Sequence, residues 1–208
     1  MKLLIGIPSL DYMHAEFVKC LTALIKTLAV SGIAFDVFIN NGTLVHVARD
    51  KIACKAINEE YTHVLWLDAD MIFSPNILDD LMDCRKDFVT GIAHSRRKPF
   101  TSCIFTSLGE NGRFDRFEGQ YPSSPFEIAG CGFACVLISV EILKAVQMRY
   151  RTCFLPLPEW GEDLAFCKRA KDLGYHIFAD PAVRLGHIGH EVIWPEDHER
   201  YLKSLETR

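Results

Sequence analysis

Two carboxylates one residue apart, Asp68 and Asp70, follow directly on the apolar run Val64-Leu65-Trp66-Leu67. The run is short, continuous and rich in Val, Leu and Trp, which reads as a buried strand. Acids at the carboxyl end of such a strand stand where open α/β sheets bind their ligands. Like charges that close together repel, and burial raises their pKa. A divalent cation removes that cost, and hard cations such as Mg²⁺ and Mn²⁺ bridge one or two carboxylates to substrate phosphates. The pattern points to a metal-held phosphate compound, against the plainer reading of two acids capping a turn. Three other groups could do chemistry. Glu162-Asp163 open a helical pattern, where spacing alone gives first-turn acids favoured by the helix dipole. His187 and His190 flank Ile188-Gly189, and Arg96-Arg97-Lys98 is a basic run; a lone His is more often structural, and a charge run more often solvated.

The elements that must position these groups alternate. Leu3 to Pro8 reads as a first strand, followed by a helix with Phe17, Leu21, Leu24, Ile25 and Leu28 inward and Gly32 past its end. Phe35 to Ile39 is a second strand, and Leu44, Val47, Ile52, Ala53, Ala56 and Ile57 mark a second helix. Strand three, Val64 to Leu67, delivers the acids. Ser74 as N-cap and Pro75 at the first helical position open a third helix, with Ile77, Leu78, Leu81 and Met82 inward. Phe88 to Ala93 is strand four. The alternation predicts a parallel, doubly wound first half. Beyond it, Ser102 to Leu108 and Arg113 to Phe117 flank Asn111-Gly112, a hairpin signature. Tyr121 to Pro125 is a polar loop. Gly132 to Ser139 reads as strand, Val140 to Val146 as a short helix, and Glu162 to Leu173 as a helix stopped by Gly174. Ile177 to Ala179 is expected as the last strand, and the charged tail after Trp194 as a peripheral helix or frayed end.

The chain has 208 residues, 49% of them hydrophobic and 24% charged, which suits one domain with a substantial core. Its net charge of −4 argues against a general nucleic-acid binder. No apolar run reaches the ~18 residues of a membrane span, and Met1 to Pro8 reads as strand rather than leader. Eight cysteines include no Cys-x-x-Cys pair, and Cys131 and Cys135 have no matching partner pair to complete a zinc pattern. Reduced, mostly buried thiols and a cytoplasmic location follow, with peripheral membrane association through the basic loop or tail left open.

Four stretches in order resemble the glycosyltransferases of the GT-A fold, close to family 2. They are Ile7-Pro8-Ser9 closing the first strand, Val47-Ala48-Arg49-Asp50, and Leu67-Asp68-Ala69-Asp70-Met71. The fourth is Trp160-Gly161-Glu162-Asp163-Leu164-Ala165-Phe166-Cys167 with Ala170, Gly174-Tyr175 and Gly186-His187. The resemblance spans about residues 3 to 190. It implies an α/β GT-A (nucleotide-diphospho-sugar transferase) fold, a doubly wound, mainly parallel sheet with a mixed second half. One domain would fill 1–208: a nucleotide-sugar half of about 1–100, an acceptor and catalytic half of about 101–193, and a peripheral tail of 194–208. It implies a hexosyltransferase-type enzyme that takes a UDP- or GDP-sugar donor and Mn²⁺ or Mg²⁺. The acceptor, a saccharide, lipid, protein or modified nucleobase, stays open.

Carried over residue by residue, the resemblance makes Asp70 a direct metal ligand, Asp68 a ligand through water or a ribose contact, and His187 the imidazole ligand. Asp163 becomes the general base of an inverting transfer, with Glu162 serving the acceptor or the helix cap. Arg49 would touch the diphosphate or base, and Pro8, Ser9 and Asn40 or Asn41 the nucleoside. Many relatives place an Asp near the end of strand two, where this chain has Asn40-Asn41. Gly130, Gly132 and Phe133 would bring backbone close to the transferred sugar. Trp160 would stack on an acceptor or pack in the core. Three rivals share parts of the pattern. A haloacid-dehalogenase phosphohydrolase fits poorly, since Ile72 stands where Thr or Val is expected. A sugar nucleotidyltransferase would carry a Gly-rich basic loop after strand one, and Ser9 to His14 has no Gly, Lys or Arg. A silent nucleotide-sugar or carbohydrate-binding module need not keep Asp68, Asp70, Asp163 and His187 together.

Overall fold

The computed structural model describes residues 1–109, 112–189 and 192–206. Asn111 of the expected hairpin turn and His190, the second imidazole candidate, lie outside them. In chain order the elements begin β1 (Lys2–Pro8), α1 (Ala15–Ser31), β2 (Ala34–Asn40), α2 (Val45–Asn58), β3 (His63–Leu67), β4 (Met71–Ile72), α3 (Ile77–Asp83) and β5 (Phe88–Ile92). They continue β6 (Ile104–Leu108), β7 (Phe114–Arg116), β8 (Phe126–Ile128), β9 (Gly130–Cys131), β10 (Cys135–Ser139), α4 (Val140–Tyr150) and α5 (Glu162–Asp172). The last are β11 (Ile177–Arg184), β12 (Gly186–Ile188), β13 (Val192–Ile193) and α6 (Pro195–Glu206).

A seven-stranded sheet in the order β2-β1-β3-β10-β5-β11-β8 forms the centre. Helices cover both of its faces, which is why β1 and β3 read as unbroken apolar runs. Alternate residues divide between the two sides. Leu3, Ile5, Leu65 and Leu67 pack with Phe17, Leu24 and Leu28 of α1 and Leu78 and Leu81 of α3. Leu4, Trp66, Phe88 and Val136 pack with Ile52 of α2, Val146 of α4 and Phe166 of α5. The inward positions of α1 follow the 3.6-residue period, and Gly32 ends it at φ 76°, a left-handed cap that glycine adopts without strain.

β1 pairs parallel with β2 and β3, as the alternation predicts. The parallel pairing is then interrupted, to resume between β5 and β11. β10 runs antiparallel between β3 and β5, so the strand at 88–92 never touches β3. The helix expected from Pro75 begins instead at Ile77. Ser74 Oγ accepts the Asn76 N–H at 3.1 Å and makes a turn before it, and Met82 is exposed. The strand expected to end at Ala179 runs on to Arg184 through an irregularity between Asp180 and Arg184. Pro181, which has no N–H to give a ladder, lies in that irregularity. β12 and β13 follow and join β4 in a small sheet of order β13-β12-β4, so 177–179 is not the last strand. The hairpin of β6 and β7 forms, and β9 adds to its other edge. The tail forms the peripheral helix α6, with no buried residue. None of the eight cysteines is in a disulfide.

Candidate active site

The small sheet brings the acids and the imidazole together. β12 pairs antiparallel with β4, setting His187 opposite Met71, and the Ile188 N–H donates to the Asp70 carbonyl at 2.8 Å. His187 Nε2 then lies 3.4 Å from Asp70 Oδ2. The other ring nitrogen donates to the His94 carbonyl at 2.8 Å, which fixes the ring's orientation and tautomer. Nε2 therefore faces the Asp70 carboxylate either as the N–H of an imidazolium or as a lone pair that shares a cation with it. The donor set fits a divalent cation, and a carbonyl behind the imidazole is the usual support for a metal-ligating His. Arg96 supplies positive charge to the same carboxylate, Nη1 to Asp70 Oδ2 at 2.9 Å, from a half-exposed side chain.

Asp68 does not join that pair. Its Oδ1 accepts from Arg49 Nη2 at 2.7 Å, while Arg49 Nη1 donates to Glu162 Oε1 at 3.0 Å. Arg49 is 3% exposed, and its guanidinium lies over the Phe133 ring, 5.2 Å from the centroid. It is a buried strut linking α2, the end of β3 and the start of α5, rather than a residue of the open cleft. Among the described residues no three His, Cys, Asp or Glu side chains already stand as a metal cluster.

The environments split the acids. Burial pushes the Asp68 carboxyl up, with Asp70 adding to it and Arg49 opposing. At Asp70 burial also works upward, but His187 and Arg96 outweigh it and hold the carboxyl below its ordinary value. Asp163, in the first turn of α5, is raised by burial, with Arg49 pulling the other way and Glu162 adding to the rise. Its Oδ1 accepts the Leu164 N–H at 2.7 Å. A Cβ on Gly132 would stand 3.7 Å from Asp163 Oδ2, so the backbone of the 132–134 loop faces this carboxylate. That loop is tied to the acid strand by the Asp68 N–H, which donates to the Ala134 carbonyl at 3.0 Å.

A cleft of roughly 450 Å³ opens beside these groups, with Pro8, Ser9, Tyr12, Asp68, Asp70 and Arg96 in its walls. It lies at the carboxyl ends of β1 and β3. The Ser9 N–H donates to the Asn40 carbonyl at 2.9 Å and the Gly42 N–H to Leu10 at 3.0 Å, which binds the two rim loops together. Asn40 sits at the end of β2, and its side-chain oxygen is buried with no hydrogen-bond partner among the described residues.

No sequence-family model matches the chain, and no curated protein matches it in sequence. Solved structures do match its shape. A197 from STIV superposes with a TM-score of 0.68 at 18% identity, over 95% of this chain and 92% of that one. UDP-glucose pyrophosphorylase complexed with UDP-glucose gives 0.51 at 10% identity, over 100% and 99% of the two chains. The fold is of the GT-A type. At these identities the likeness fixes the fold alone.

Within the GT-A fold several expected residues take other roles. A Cβ on Gly130 would meet Cys167 and Leu108 side chains at 3.2 Å, so this glycine permits close packing of β9 on α5. Phe133 lies in the core, edge-on to Trp66, Phe88, Phe154 and Phe166. Trp160 is buried with Phe105 and Leu164. Of the basic run only Arg96 reaches the acids, and Lys98 lies near the Tyr201 ring. Two partners were not legible. Glu162 holds Arg49 across 113 positions. Asp50 accepts from Thr152 Oγ1 at 2.6 Å and from the Cys153 and Phe154 N–H groups at 2.9 Å, pinning the turn after α4. The Arg49-Asp50 dipeptide signals charge at a helix start but not that each residue faces a different distant element. No helix among the described residues is long and apolar enough to cross a membrane.

Proposed function

We propose that this chain is a metal-dependent glycosyltransferase that moves a sugar from a nucleotide-diphosphate donor to an acceptor hydroxyl. The observation that carries the reading is the meeting of Asp70 and His187 at the mouth of a cleft that also exposes Asp68, Pro8 and Ser9. Asp70 Oδ2 and His187 Nε2 would hold the cation, Mn²⁺ or Mg²⁺, with Asp68 reaching it through water or holding the ribose. When bound, such an ion neutralises the diphosphate and acts as a Lewis acid toward the departing nucleoside diphosphate. Arg96, on a half-exposed stem, is free to exchange Asp70 for a phosphate oxygen. Pro8, Ser9 and the Asn40 side chain would take the nucleoside, and the Gly132 backbone the sugar. Asp163 would accept the acceptor's hydroxyl proton as the new bond to the anomeric carbon forms and the carbon–phosphate-oxygen bond breaks, inverting that centre. Arg49 would keep Glu162, and with it the first turn of α5, aligned with Asp68.

The test is release of free nucleoside diphosphate from a panel of nucleotide sugars with Mn²⁺, with and without candidate acceptors. Asp70→Ala should abolish metal-dependent nucleotide binding, read as a lost thermal shift. Asp163→Asn should retain that shift and lose transfer by about 10²–10⁴-fold. Full turnover in Asp163→Asn removes the base assignment. The fold shared with UDP-glucose pyrophosphorylase gives a second reading, sugar nucleotidyl transfer. Pyrophosphate release from a nucleoside triphosphate and a sugar 1-phosphate would establish it over the first. A silent binding module would bind nucleotide sugar and release nothing.

A further inference from the structure

A second cavity, of roughly 320 Å³, lies between the end of β5, the loop carrying Phe117 and Tyr121, and the first turns of α6. It shares no wall residue with the cleft above. His94 is its unusual member. The ring is 2% exposed, and Nδ1 is buried with no hydrogen-bond partner among the described residues. Nε2 lies 3.3 Å from the Tyr121 hydroxyl, which gives its own proton to Ser102 Oγ at 2.8 Å. The donor and acceptor roles turn on the tautomer, but Nε2 has this partner and Nδ1 has none among the described residues. Nδ1 is left as a buried polar atom without a partner, a state that costs stability unless a ligand fills it.

The neighbours need the same kind of partner. His198 Nδ1 donates to the Pro99 carbonyl at 2.7 Å, which leaves Nε2 for a ligand. Glu199, also in the wall, has no ion-pair partner among the described residues. The one wall cation, Arg184, is paired with Glu196. Phe117 and Tyr121 stack at 4.7 Å and 15°, giving the cavity an aromatic side. Two imidazoles, the Glu199 carboxylate, the Gln120 amide, a neutralised cation and an aromatic wall suit a molecule with several hydroxyl groups, no negative charge and an apolar ring face. We infer that this cavity binds a neutral saccharide, at a site separate from the nucleotide cleft. The His94 carbonyl joins the two sites, because it holds the His187 ring beside Asp70. Under the proposed transfer reaction the saccharide is a portion of the acceptor; the binding itself does not depend on that reaction.

The experiment is saturation-transfer NMR on the full chain, without metal or nucleotide. The probes are methyl α-glucoside, methyl α-mannoside, methyl β-galactoside and N-acetylglucosamine, with ethanolamine as a cationic control. At least one saccharide should receive saturation and should not be displaced by UDP with Mn²⁺. Glu199→Ala and His198→Ala, both outside the core, should each weaken it about tenfold, the effect of one lost hydrogen bond. Unchanged circular-dichroism melts would show that both variants fold. The inference is overturned by silence from all four saccharides, by signal from ethanolamine alone, by displacement with UDP, or by binding unchanged in both variants. Saccharide binding that persists while no nucleotide sugar is consumed would sink the transferase reading and leave this site standing.

Discussion

Asp68 and Asp70 have the same side chain and nearly the same place in the chain, yet one is pushed toward its neutral form and the other away from it. Burial raises Asp68, whereas His187 and Arg96 lower Asp70 against the pull of burial. A carboxylate held in its charged form beside an imidazole is the better cation ligand, which under the proposed reaction favours Asp70 for that role and Asp68 for the subsidiary one. Asp163 is raised for the same reason as Asp68, its burial at the start of α5, which Arg49 only partly offsets. A base must be ionised to act, so activity should rise with pH through the elevated pKa of Asp163. The acid limb of the kcat profile should then lie above the ordinary 3.8 of an aspartate. An acid limb below that value would disconnect Asp163 from the rate. The sequence showed each of these carboxylates, but their different acidities come from neighbours brought in from elsewhere in the chain.

At the scale of elements, Arg49 is the joint between α2, β3 and α5. Removing it leaves the half-buried Asp68 and Glu162 facing each other's charge with no cation between them. Arg49→Met should lower unfolding free energy by about 3–5 kcal/mol in urea titration, the cost of breaking a buried ion pair from one side. Arg49→Lys should recover part of the loss, since a single ammonium cannot make both contacts in the same fork. A loss under about 1 kcal/mol for Arg49→Met would mean that the pair behaves as a surface bridge. β5 and β11 depend on a different device. A Cβ on Gly91 would stand 2.7 Å from Val183 Cγ1 and 2.9 Å from the Val183 carbonyl. Gly91→Ala should therefore destabilise by about 1–3 kcal/mol through overpacking, measured as a lowered urea midpoint with unchanged slope. Apolar spacing in the sequence found α1, α2, α4 and α5 with errors only at their ends. It misplaced the start of α3, because the Ser74-Pro75 signature also fits the turn that forms there.

For the whole molecule, the buried neutral His94 ties stability to pH. Its pKa falls from 6.5 to about 4 on folding, so between these values the unfolded chain binds more protons than the folded one. Stability should then rise as pH increases from about 4 to 6.5 and be complete above that, a span on the order of 3 kcal/mol. Urea titrations at pH 5 and pH 7.5 check the sign, and His94→Gln should flatten the difference. Equal stability at both pH values in the native chain would show that His94 is not neutral in the fold. Short apolar runs and amphipathic helices determined the α/β class, the parallel register of β1 to β3 and the place of Asp68 and Asp70 at a strand end, because those depend on local periodicity and burial. Tertiary structure alone decided that β10 enters the sheet antiparallel between β3 and β5. It also decided that β12 folds back on β4 to bring His187 to Asp70, and that Arg49 is buried between two acids. These outcomes depend on which distant surfaces find one another, and such pairings are selected by the packing of the whole core rather than by any window of the chain.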